Sequence, residues 1–314
     1  MTTQLTKLIG AVAGSLILLA QGAAAQNTDP LPSWNDGVNK RAIIEFVDTV
    51  TREDGDGFVP AIDRVATFDM DGTILVEKPD AVVMAFTNTY LDEVADANPN
   101  LELQPYKAVR TNDTTYLTAN IFELLTAVGA NTDQGDYRTR AQKFAATEKH
   151  PKFDRPYDEL FFAPMIEVIE LLKANDFRVY IVSGSSQGFV RALAPAPTGL
   201  PQAHLIGTQT KLSFRNNTFV RMPEFRNLGV VGSGKPLIIQ YQIGQKPIFA
   251  FGNTNGDQAM LEYALSKTGH PSLALWLDHD DADREYAYDG HVKTVPGLRT
   301  VSMKNDFAKL FADE

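Results

Sequence analysis

The feature that most constrains this chain is a short apolar run that ends in paired acids, Arg64 to Phe68 (RVATF) followed directly by Asp69 to Thr73 (DMDGT). The run reads as a buried β-strand, and its C-terminal end emits the two carboxylates. In open α/β sheets the C-terminal ends of the strands form the ligand crevice, so the acids stand where chemistry is done. Asp71 lies two residues after Asp69, so both side chains can face one crevice while Met70 points elsewhere. Gly72 permits a tight turn directly after them.

The rest of the chain supports that reading. Beyond the acids, roughly Lys78 to Glu159 is polar and helical in texture, with apolar spacing in Val82 to Val94 and Ile121 to Val128. Strand–helix alternation then resumes: helix Pro164 to Ala174, strand Phe177 to Val182, helix Gln187 to Leu193, strand His204 to Gly207 and a hairpin around Lys211 to Val220. Helix Lys235 to Ile243, strand Pro247 to Phe251, helix Gln258 to Leu265 and strand Leu273 to Leu277 follow. The alternation predicts an α/β fold, a doubly wound and largely parallel sheet with a helical cap inserted after the first core strand. The segments are residues 1–25, 26–63 (a linker and one helix over Asn35 to Arg52), 64–77 (core), 78–159 (cap) and 160–314 (core again). The acidic DGDG of Asp54 to Gly57 lacks the later ligands of a calcium loop and reads as a solvated turn.

Residues 1–25 read as an export signal: Lys7, an apolar run from Leu8 to Ala20, then Ala23-Ala24-Ala25 before Gln26. The run is too short and wrongly flanked for a stable membrane span. A cleaved signal predicts a periplasmic or secreted protein, the alternative being a retained anchor. The chain has no cysteine, which excludes disulfides, a thiol nucleophile and cysteine-based zinc sites. Its net charge of −10 argues against nucleic acid as the partner, because binding a phosphate backbone needs a basic face. Five scattered histidines show no zinc-site spacing.

Four features fall at strand ends or helix starts: DMDGT, SGSS (Ser183 to Ser186), Lys235 in GSGKP, and GNTNGD (Gly252 to Asp257). Their order resembles the haloacid dehalogenase superfamily. The likeness is closest to exported bacterial members related to phosphoserine phosphatase, through FDMDGT, PMIEVIELL, RVYIVSGSS, FGNTNGDQAMLEY and DREYAYD. It implies that Asp69 is the nucleophile that accepts a phosphoryl group. Asp71 would protonate the leaving oxygen and later activate water, a role suited to a carboxyl whose pKa is raised by crowding. Ser183 and the neighbouring Gly184, together with Gly72 and Thr73, would bind the phosphate, and Lys235 would neutralise it. Asp69, Asp257 and the Asp71 backbone carbonyl would hold Mg²⁺ or another hard divalent ion. Asn253 stands where the family has an acid; its amide is a further potential ligand without full charge, so metal affinity would be lower.

By the same resemblance, an acid at Asp71 points to a phosphoenzyme that hydrolyses rapidly. The expected activity is a phosphomonoesterase acting on a small phosphorylated metabolite. The alternatives are a phosphomutase or phosphotransferase, or a non-catalytic phosphate- or metal-binding envelope protein on the same scaffold. Glu77 and Lys78 either face the leaving group or lie in solvent. His279 to Glu285 (HDDADRE) reads as a charged surface turn, the other reading being a second ion site or a hold on the acidic loop.

Overall fold

The structure is a computed structural model that describes residues 29–314 apart from Pro99, Leu228, Lys267 and Thr268. The expected export signal lies outside the described residues. The strands are β1 (Val65–Phe68), β2 (Arg178–Ser186), β3 (Leu205–Thr208), β4 (Thr210–Arg215), β5 (Thr218–Phe225), β6 (Phe249–Gly252), β7 (Leu273–Asp278) and β8 (Leu298–Ser302). The helices are α1 (Val38–Thr51), α2 (Val82–Ala97), α3 (Tyr106–Arg110), α4 (Thr114–Ala119), α5 (Ile121–Ala127) and α6 (Gln134–Thr147). They continue with α7 (Ala163–Ala174), α8 (Gln187–Leu193), α9 (Pro195–Thr198), α10 (Gly234–Gln242), α11 (Gln258–Leu265) and α12 (Met303–Asp306).

Six strands form one sheet in the order β3-β2-β1-β6-β7-β8, and every neighbouring pair is parallel. A parallel sheet is covered on both faces, which is why β1, β3 and β6 are buried along their whole length. Alternation along β1 sends Ala66 and Phe68 into one core and Val65 into the other. Phe68 packs between Phe249 and Phe251 of β6, with ring centroids 5.4 and 6.2 Å away. From β1 the chain winds outward through β2 and β3, then returns to the other side of β1 through β6, β7 and β8. The direction therefore reverses at β1, and the crevice beyond its C-terminal end is the binding position of a doubly wound sheet.

The expected α/β architecture is present. Two details differ from the sequence reading, while the expected hairpin is present. Strand β2 continues through SGSS to Ser186 with a register shift against β3, where a loop was expected. Strand β8 has few buried residues, so it lacked an apolar signature. The hairpin β4–β5 is a separate two-stranded sheet. Helices α2 to α6 all fall between β1 and α7, and α6 packs against α8. No helix among the described residues is long and apolar enough to cross a membrane.

Candidate active site

The β1 ladder continues one residue past the strand, because the Asp69 N–H donates to the Phe251 carbonyl at 2.9 Å. Met70 is fully buried in the core, so Asp69 and Asp71 turn together to the other side. The turn then tightens: the N–H groups of Thr73, Ile74 and Leu75 all point at the Met70 carbonyl, 2.9–3.1 Å away. Gly72 sits at φ +74°, and a Cβ there would lie 1.9 Å from Asn253 Nδ2, so no side chain fits.

Lys235, from the first turn of α10, reaches across to the acids with 2% of its surface exposed. Its Nζ lies 2.5 Å from Asp69 Oδ1, 2.6 Å from Asp257 Oδ1 and 2.6 Å from the Val182 carbonyl. Burial alone would lower the Lys235 pKa, but Asp257 and Asp69 outweigh it and hold it above its ordinary value. The Asp69 carboxyl is pushed well above the ordinary carboxylate range by burial and by repulsion from Asp257, against the pull of Lys235. Asp71 is raised to about 6 by burial, an effect the Ser185 hydroxyl opposes and Glu77 reinforces. Ser185 Oγ donates to Asp71 Oδ2 at 2.6 Å, while Asp71 Oδ1 is buried without a hydrogen-bond partner.

Asp257 also organises its own loop. Its Oδ2 accepts from the N–H groups of Asn253 and Thr254, each at 3.0 Å. A Cβ on Gly252 would stand 2.4 Å from Asp257 Cβ, so the loop closes only over glycine.

These residues surround a cavity of about 240 Å³. Asp69, Asp71, Ser185, Lys235 and Asp257 line its floor, with Gly184 beside them. Ala81, Val83, Met84 and Leu125, from the helical segment after β1, line it with apolar surface. The other expected phosphate contacts are placed differently. Ser183 is fully buried; its Oγ accepts from the Ser185 N–H at 3.0 Å and lies 3.5 Å from Asp71, because the extended path of β2 brings Ser185 to the lining instead. Gly72 and Thr73 stand behind the lining, with the Thr73 hydroxyl donating to Asn253 Oδ1 at 3.2 Å.

Asn253 is likewise part of the wall. Its Nδ2 donates to Glu77 Oε2 at 3.1 Å and to the Tyr288 hydroxyl at 3.0 Å, so both ends of the amide are spent away from the Asp69–Asp257 pair. Tyr288 donates to Glu77 at 2.7 Å, and burial together with Glu77 holds its phenol pKa far above the ordinary value. Glu77 also lines the cavity, whereas Lys78 Nζ sits 4.8 Å from the centre of the Tyr288 ring.

The reading of His279 to Glu285 as a surface turn is overturned. His279, Asp281 and Glu285 are buried. His279 Nε2 donates to the Gly72 carbonyl at 2.7 Å, and Nδ1 lies 3.1 Å from Glu285 Oε2. His279 also stacks on Tyr288, centroids 4.3 Å apart. The loop after β7 thus props the Asp69–Thr73 turn from behind. Sequence gives no role to the Ser185 hydroxyl or to Tyr288, since only chain pairing brings them to the acids, whereas His279 and Glu285 fall in the segment whose other reading is a second ion site or a hold on the acidic loop.

Among the described residues no three Asp, Glu, His or Cys side chains converge as a ready metal site. The two carboxylates expected to hold a cation, Asp69 and Asp257, instead share the Lys235 ammonium. The electrostatics still fit a hard cation: the buried acids outnumber the one ammonium between them, and Asp69 is raised first by burial and then by repulsion from Asp257.

The chain belongs to the haloacid dehalogenase-like hydrolases, whose family profile matches residues 66–262. It is therefore a hydrolase on an α/β core of that kind. Among solved structures it is similar to a functionally unknown protein from Anaerococcus prevotii, with 16% identity, 77% of this chain and 86% of that one covered, and a TM-score of 0.54. A protein of unknown function from Bordetella pertussis matches at 17% identity over 68% of this chain and 89% of that one, with a TM-score of 0.47. At 16% identity the likeness to the first of these concerns the fold alone. No functionally curated protein matches the chain.

Proposed function

We propose that the protein is an exported, Mg²⁺-dependent phosphomonoesterase that hydrolyses a small phosphorylated metabolite through an aspartyl-phosphate at Asp69. The observation that carries the reading is the pairing on one cavity floor of a carboxylate held by an ammonium, Asp69 with Lys235, and a second carboxyl raised to about 6, Asp71.

In the first step an Asp69 oxygen forms a bond to phosphorus as the bond from phosphorus to the ester oxygen breaks. Protonated Asp71 gives its proton to that departing oxygen, so an alcohol leaves. In the second step Asp71, now a carboxylate, takes a proton from water as the water oxygen attacks phosphorus. The Asp69–phosphorus bond breaks and inorganic phosphate is released. Lys235 offsets charge on Asp69 and the phosphoryl oxygens throughout, as a point cation in a water-poor site. Asp69, Asp257 and the Asp71 carbonyl would hold Mg²⁺, which when bound screens the repulsion between carboxylate and phosphate. The Gly184 and Ser185 segment faces the space left for phosphoryl oxygens.

A cavity of about 240 Å³ with apolar residues above the acids suits a small leaving group. Export rests on the Lys7, Leu8–Ala20 and Ala23–Ala25 pattern. Phosphate release from a panel of phosphorylated metabolites, with Mg²⁺ and with EDTA, tests the reading. Release that requires Mg²⁺ and vanishes in Asp69→Asn is expected; no release from any ester, or equal release from Asp69→Asn, would overturn it.

A further inference from the structure

The hairpin β4–β5 encloses a second cavity of about 780 Å³ against α6 and α8. None of its lining residues also lines the Asp69 cavity. The volume is within the range of small-molecule sites. Cations dominate its charge: Arg191, Arg221, Arg226 and Lys211 line it, with Glu224 as the one carboxylate. Lys211 pairs with Glu224 at 2.7 Å, which leaves the three arginines.

Arg221, on β5, is 1% exposed. Its guanidinium lies 3.7 Å from the centre of the Tyr137 ring, Nη1 donates to Gln134 Oε1 at 3.0 Å, and Nη2 donates to Thr210 Oγ1 at 3.1 Å. Nε has no hydrogen-bond partner, and among the described residues no carboxylate comes within ion-pair reach of the group. Burial pulls the Arg221 pKa below its ordinary value, as befits a cation whose lost hydration no anion replaces. Leaving such a charge uncompensated is costly, and ring stacking with two neutral hydrogen bonds recovers only part of the lost hydration. Arg191 donates Nε to the Leu205 carbonyl, and Arg226 donates Nη1 to Gln209 Oε1, so neither is neutralised. In a chain of net charge −10 this excess of cations is local. Gly188 lets Gln134 and Arg221 close on α8, since a Cβ there would stand 2.7 Å from Gln134 Nε2 and 3.1 Å from Arg221 Nη1.

We infer that this cavity is a second ligand site, built for a multiply charged phosphorylated small molecule and separate from the catalytic cavity. Arginine forks bind phosphoryl oxygens in pairs, and a ligand with at least two negative charges supplies the counter-charge that no described residue provides there. The side-chain amides of Gln187 and Gln209 offer hydrogen bonds to the rest of such a molecule.

Pyrophosphate, titrated calorimetrically in EDTA so that it is not turned over, is the probe. Wild type should bind it. The double variant Arg191→Gln/Arg226→Gln, which leaves buried Arg221 and the fold in place, should bind at least tenfold more weakly, about 1.4 kcal/mol. Lys235→Met should bind as wild type does, and the double variant should hydrolyse p-nitrophenyl phosphate at the wild-type rate. The inference falls if wild type gives no binding at millimolar pyrophosphate, or if binding persists undiminished in the double variant. It falls equally if Lys235→Met alone removes the binding, which would put the anion in the catalytic cavity.

Discussion

Three carboxylates, Asp69, Asp71 and Asp257, sit buried around the Lys235 ammonium, so a proton or a metal ion must make up the missing positive charge. The roles proposed for the two acids after β1 separate in their variants. Asp69→Asn should abolish turnover and leave the fold intact, because the lost oxygen anion is the nucleophile. Asp71→Asn should slow turnover by about 10²–10⁴-fold and accumulate phosphoenzyme with activated leaving groups, since water then lacks its base; acid-quench trapping of labelled phosphate on the protein measures it. The raised pKa of Asp71 also has a consequence for stability. The native state keeps a proton on Asp71 up to about pH 6, whereas the unfolded chain releases it near 3.8. Stability from this group is therefore present at low pH and lost as pH rises through 6, by up to about 3 kcal/mol. In EDTA, wild type should lose melting temperature between about pH 4 and 6 more steeply than Asp71→Asn does. Parallel curves for the two proteins would show that Asp71 is not the group responsible.

The elements that shape the site are two loops meeting back to back, the turn after β1 and the loop after β7. Gly72 is where they touch, through the His279 contact to its carbonyl. Gly72→Ala would force a side chain onto a φ of +74° and into the Asn253 amide. Strain of about 1–2 kcal/mol and a displaced nucleophile are expected, with kcat/KM down about 100-fold. Steady-state kinetics beside a thermal melt would show both losses; wild-type kinetics would mean that the turn adapts. The Asn253 amide explains why the loop after β6 carries no acid at that position: it donates to Glu77. In Asn253→Asp a carboxylate would stand about 3.1 Å from Glu77 Oε2, a repulsion of about 5 kcal/mol at an effective dielectric of 20 before relaxation. The single variant should melt well below wild type in EDTA, and Asn253→Asp/Glu77→Gln should recover most of the loss. A single variant as stable as wild type would contradict this placement of the amide.

For the whole molecule, the hairpin β4–β5 packs against α5 and α6 of the helical segment between β1 and α7, and that segment contributes to both cavities, with Ala81, Val83, Met84 and Leu125 at one and Gln134 at the other. The proposed export adds a prediction about the mature chain. Protein purified from its native host should begin at or near Gln26 and be found outside the cytoplasm. N-terminal sequencing that returns Met1 or Thr2 from cytosolic protein would contradict it.

The α/β class, the parallel order implied by alternating strands and helices, and the four positions Asp69, Asp71, Lys235 and Asp257 were legible from sequence. They were legible because a buried parallel strand is a continuous apolar run, and chemistry at its end must be carried by the next few residues. Two acids one residue apart after Phe68, a lysine opening a helix and an acid before α11 carry their own local signal. The resemblance of the motifs supplied their roles. What the residues could not show is everything that depends on pairing across long stretches of chain. Ser183 and Ser185 are equivalent in a string of small polar residues until the path of β2 sends one behind the wall and one onto it. His279 and Glu285 look like surface charges until the loop after β7 folds under the Gly72 turn, 207 residues away in sequence from His279. Arg221 is one more arginine in a hairpin until Tyr137 and Gln134 of α6 enclose it without a counter-ion. Local sequence sets which groups can react; only tertiary packing decides which of them lose water and which gain partners, and those two quantities set the charge and the pKa of each.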